Sequence, residues 1–141
     1  MNESALPDFD LHPQLAADTI EVARWDCSRV LLMNDAAYPW LILVPQRLDL
    51  RDFHQLSAGD LALATAEIVR ASQALERLFQ PVKINVAALG NMVPQLHIHV
   101  IARFEDDPAW PKPVWGVAPA EPYGTEALAE RMAALRGAFA G

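Results

Sequence analysis

The chain has 141 residues, 52% of them hydrophobic and 21% charged, which suits one globular domain over 1–141 and excludes disorder along its whole length. Its net charge of −7 argues against a nucleic-acid partner, which would call for a basic patch, but leaves room for a small phosphate held on backbone N–H groups. No apolar run reaches the roughly 20 residues of a membrane helix, Met1–Asp10 lacks a secretory pattern, and the lone Cys27 has no disulfide partner. A cytoplasmic protein without membrane contact is expected, with Cys27 as a buried structural residue.

Residues 1–14 contain Pro7 and Pro13 and show no period, so they read as an irregular or short helical lead-in. Thr19–Trp25 and Arg29–Asn34 are β-prone, with Asp26-Cys27-Ser28 as the turn of a hairpin. Trp40–Val44 is continuously apolar, as in a central strand covered on both faces. Ser57 with Asp60 forms a weak capping box. Leu61, Ile68 and Leu75, with Ala64 and Ala71 between, give an apolar stripe on a helix of about six turns that Pro81 ends. Lys83–Leu89 and Leu96–Arg103 are two further strands joined by a loop holding Gly90 and Pro94. Residues 105–124 carry five prolines and two tryptophans and read as an extended arm whose Trp110 and Trp115 need cover. Thr125–Phe139 is a shorter, Ala-rich C-terminal helix. The order predicts an α+β fold: an antiparallel sheet of about five strands with one long helix on a face.

The chemistry concentrates in Leu89–Arg103. Alternation along a strand puts Gln95, His97 and His99 on one face and Leu96, Ile98 and Val100 on the other, packed under the long helix. Three readings stay open on this pattern alone. The histidines are ordinary surface or core residues; they chelate a metal, although further ligands are scattered; or His97 is a nucleophile toward phosphorus, since neutral imidazole is well populated near neutral pH. Arg103 and Lys112 are candidates for local positive charge.

Gln95-Leu-His97-Ile-His99-Val-Ile resembles the signature of the histidine triad (HIT) family, and Gly90-Asn91 is similar to its Gly-Gln pair. Leu31–Asp35 and Pro39–Pro45 resemble the strand-loop-strand that cradles base and ribose, so the resemblance spans roughly 18–103. It implies a HIT-like fold and a cytoplasmic homodimer acting on a small purine nucleotide, with no cofactor and no metal ligands. His97 would attack the α-phosphorus of a nucleoside phosphoramidate or (di)nucleoside polyphosphate and form a nucleotidyl-histidine. His99 would donate to a phosphate oxygen and help hold charge. Gln95 stands at the first triad position, where an amide cannot shuttle a proton. Asn34 and Asp35 would meet the ribose hydroxyls. Asn85, Gly90, Asn91 and Met92 would contact the nucleotide. Trp40 stands where some members carry a buttressing histidine, so a backbone carbonyl is expected to fix the His97 tautomer instead. The arm would cover the site or a dimer seam. A non-catalytic purine-nucleotide-binding regulatory module is the alternative that Gln95 motivates; a His-liganded metal enzyme is the weaker one.

Overall fold

A computed structural model describes residues 9–140. The N-terminal part of the irregular lead-in, 1–8, lies outside them. His12 caps a short helix α1 (Pro13–Asp18), its Nδ1 accepting from Gln14 N–H at 3.0 Å, and Pro13 fills the first helical position where no N–H is needed. Five strands follow the expected order: β1 (Thr19–Arg24), β2 (Ser28–Met33), β3 (Trp40–Pro45), then β4 (Lys83–Ala87) and β5 (Ile98–Arg103) after the long helix α2 (Ala58–Phe79). All pairings are antiparallel and the sheet order is β1-β2-β3-β5-β4, which makes β3 and β5 interior and β4 an edge.

The interior strands bury both faces. Leu41 and Leu43 of β3, with Ile98, Val100 and Ala102 of β5, pack beneath α2 and the C-terminal helix α3 (Thr125–Ala140). Trp40, Ile42 and Val44, with Ile101, turn to the opposite face. There α1 and arm residues Ala109 and Val114 cover them. Each fully buried aliphatic side chain contributes about 1.5–3 kcal/mol, so the middle strands are the rigid part on which a site can be mounted.

Ser57 caps α2 as the sequence predicts, its Oγ accepting from Asp60 N–H at 3.2 Å. Of the predicted stripe, Ala64, Ala71 and Leu75 are buried and Ile68 packs against the core; Glu67 and Ala74 are buried as well, while Leu61 is 38% exposed. Three small alanines let the helix axis approach the sheet closely. The helix closes on Gln80 in the left-handed conformation, φ 52°, so Pro81 follows the stop and does not cause it. Cys27 is fully buried beside Glu67, which accepts its N–H at 2.8 Å; burial and then that carboxylate push the thiol up, away from reactivity. Among the described residues no helix is long and apolar enough to cross a membrane.

Candidate active site

The strand carrying the histidines begins two residues later than the sequence suggests, so His97 stands just ahead of β5 and His99 within it. His99 pairs in register with Ile42 on one side and Ala87 on the other. The two imidazole centroids lie 5.0 Å apart at 69°.

Each ring has one nitrogen committed to a group with a single hydrogen-bonding role. A carbonyl only accepts, so the 2.7 Å contact of His97 Nδ1 with the Gln95 carbonyl places the proton on Nδ1 of the neutral ring. Nε2 keeps its lone pair and has no hydrogen-bond partner among the described residues. An indole N–H only donates, and Trp40 Nε1 reaches His99 Nδ1 at 3.0 Å. His99 therefore carries its proton on Nε2. Burial, and next the neighbouring His97, push His99 down from 6.5 to about 3. His99 is thus held neutral, with its proton on Nε2. Trp115 of the arm stands edge-on to the same ring, centroids 5.0 Å apart at 78°.

Both histidines line a cleft of about 280 Å³, walled by Met33 and Ile42 of the sheet, Leu15 and Asp18 of α1, the Leu89–Val93 loop and Trp115. Gly90 turns that loop at φ +72°, a conformation side-chain-bearing residues resist. Asp18 supplies the one carboxylate among the described lining residues.

The fold that carries this cleft recurs in proteins of known structure. The family model described as HIT domain matches residues 15–106. The chain belongs to the HIT (histidine triad) family. A histidine triad protein from Bradyrhizobium japonicum is 43% identical, with 94% of this chain and 99% of that one covered and a TM-score of 0.92. One from Marinobacter aquaeolei VT8 is 45% identical over 94% and 96%, at 0.91. One from Sinorhizobium meliloti 1021 is 42% identical over 92% and 96%, at 0.90. A search of curated proteins returned no match. The α+β HIT-like fold of five strands expected from the sequence is therefore the fold found.

The HIT cleft gathers Gly90, Asn91, Met92, His97 and His99, with Met92 at its rim and 93% exposed. Gln95 gives its main-chain carbonyl to His97, as a tautomer-fixing group should. Its carboxamide ties down the N-terminal segment, accepting from His12 N–H and donating to the Asp10 carbonyl, both at 2.8 Å. Asn34, Asp35 and Asn85 are not among the described lining residues. Asn34 Oδ1 accepts from Tyr123 N–H at 2.9 Å, and Asp35 Oδ1 from Ala37 N–H at 3.0 Å and Glu121 N–H at 3.3 Å. Asn85 Oδ1 accepts from Arg103 at 2.8 Å. Arg103 is no free cation: it is buried and bound to both Asp107 carboxylate oxygens. The sequence reading missed Leu15 and Asp18, because a six-residue helix shows no period; the His12-Pro13 cap was the available signal. No three described His, Cys, Asp or Glu side chains cluster as metal ligands.

Proposed function

We propose that this HIT protein is a hydrolase or nucleotidyl transferase acting at the α-phosphate of a purine nucleotide through a nucleotidyl-histidine on His97. The carrying observation is the His97 tautomer: Nδ1 bound to the Gln95 carbonyl leaves Nε2 a lone pair at the cleft. Nε2 bonds to phosphorus, the bond to the leaving group breaks, and its electron pair departs with that group. Water then bonds to phosphorus, the N–P bond breaks, Nε2 recovers its lone pair and the water proton passes to solvent.

His99 Nε2–H and the Gly90–Asn91 segment donate to the non-bridging oxygens. These donors are fixed before the charge develops, which is the economical way to stabilise it. Met33 and Ile42 offer the base an apolar wall. Asp18 takes the ribose hydroxyls, the role expected of Asn34 and Asp35, which hold the arm. The molecule works as a homodimer joined at the β4 edge.

The test is an intermediate trap with an α-labelled nucleotide. Label is expected on His97 of the native chain; His97→Ala should lose label and turnover while keeping nucleotide affinity within about threefold. Asp18→Ala should lose the preference for ribo- over 2′-deoxynucleotides. Undiminished turnover by His97→Ala removes the reading. Tight nucleotide binding with no label and no product instead selects the regulatory module, the alternative that the amide at Gln95 favours.

A further inference from the structure

The N-terminal segment walls one side of the histidine cleft, with Leu15 and Asp18 of α1 lining it alongside His97 and His99. What holds that wall differs along its length. Its C-terminal end runs directly into β1, and the Asp18 carbonyl accepts from Asn34 N–H at 3.0 Å. Nearer its start, Phe9 and Leu15 are buried against Trp40 and Ile42 of β3 and their neighbours. Apolar burial is non-directional, so it holds a segment down without fixing where along the surface it rests.

Gln95 supplies the directional contacts. Its Oε1 accepts from His12 N–H and its Nε2 donates to the Asp10 carbonyl, both at 2.8 Å. A backbone N–H only donates and a carbonyl only accepts, so these two partners also fix which way round the amide lies. His12 in turn caps α1, its Nδ1 accepting from Gln14 N–H at 3.0 Å. The carboxamide therefore grips the helix at its own cap. The main-chain carbonyl of the same residue meets His97 Nδ1 at 2.7 Å. One residue thus bonds the nucleophile through its backbone and the cleft wall through its side chain.

Resting on the reading that a nucleotide lies in this cleft with its ribose on Asp18, we propose that Gln95 is a positioning residue for that wall. Its carboxamide sets the register of residues 10–18 against the histidine segment, and with it the selectivity of the cleft for a ribose. The first triad position here serves the nucleoside side of the site instead of the departing group.

Gln95→Met tests this, because it keeps the length of the side chain and the carbonyl beside His97 while removing both bonds. Calorimetry of the native chain should show adenosine 5′-monophosphate bound more tightly than its 2′-deoxy analogue. In the variant the ribonucleotide should bind about fivefold more weakly, the worth of one neutral hydrogen bond, and its advantage over the deoxy form should shrink toward none. Amide exchange over residues 12–18 should quicken about tenfold. The kcat for adenosine 5′-phosphoramidate should change by less than about twofold, because the His97 tautomer is untouched. In an Asp18→Ala background Gln95→Met should cost no further ribose preference. Gln95→Glu keeps the acceptor for His12 N–H but turns an oxygen toward the Asp10 carbonyl; its effects should fall between, and the same readings on it decide the matter if the methionine variant does not fold. A fall in kcat with affinity unchanged would place the side chain on the reacting groups and overturn the proposal. Unchanged exchange and affinity, or a native chain indifferent to the 2′-hydroxyl, overturn it too, and all three leave the His97 intermediate standing. A native chain that binds adenosine 5′-monophosphate but takes up no label overturns the intermediate alone; one that binds neither nucleotide overturns both.

Discussion

At the scale of single residues, the site works because burial and one hydrogen bond settle what each imidazole is. His99 sits at 6.5 in an unfolded chain and at about 3 in the folded one. Between those values the unfolded chain binds a proton that the folded chain refuses, so stability is full above 6.5 and falls as the pH drops toward 3, by up to about 1.4 kcal/mol per pH unit. His99→Gln keeps an acceptor for Trp40 Nε1–H and removes the titration. Urea unfolding between about pH 4.5 and 6.5, above the carboxylate range, should show a shallower pH dependence for the variant than for the native chain. Parallel curves would mean that folding does not hold His99 neutral. His97, His99, Gly90 and Asn91 all line the cleft; the histidines were legible through strand alternation, and Gly90 and Asn91 only through their likeness to the family's Gly-Gln pair. The side-chain partners of Gln95 were not, since its carboxamide meets residues 83 and 85 positions away.

At the scale of elements, strands and the long helix were legible because their periods are intrinsic, and so was most of the buried face of α2, with Leu61 the exception. Leu61 fits the heptad stripe, yet alanine-lined closeness to the sheet decides which side of the helix is covered. The arm was legible only as stiff and in need of cover. Its course depends on Arg103, which binds both Asp107 oxygens, the Lys112 carbonyl and Asn85, and on Asn34 and Asp35, which grip residues 121–123. Burial pushes the Asp107 carboxyl up, but the Arg103 guanidinium and the N–H groups of Phe104 and Trp110 outweigh it and hold the carboxyl below its usual range. Arg103→Met would strand that carboxylate in the interior, a loss of about 3–5 kcal/mol. A fall of about 10–25 °C in Tm should follow, together with a change in tryptophan fluorescence as Trp115 leaves His99. A Tm within about 2 °C of native would show that the pair does not hold the arm.

At the scale of the molecule, the sheet ends in two edge strands, β1 and β4. Edge strand β1 has α1 and α3 against it and edge strand β4 has α2; among the described residues no strand pairs with the outer side of β4, whose Val86 is 49% accessible between exposed Val82 and Leu89. Bare apolar edges invite pairing with another strand unless charge or proline blocks them, and the one charge on β4 is Lys83 at its start. A second copy laid antiparallel along β4 would pair with that outer side and join two sheets into one. It would also restrain Leu89, which walls the cleft beside His97, and so would touch the loop that shapes the site. Val86→Lys places a charge in the middle of that edge and should convert a β4-joined dimer to a monomer in sedimentation velocity, with circular dichroism unchanged. If the native chain sediments as a monomer, or the variant still as a dimer, β4 is not the seam.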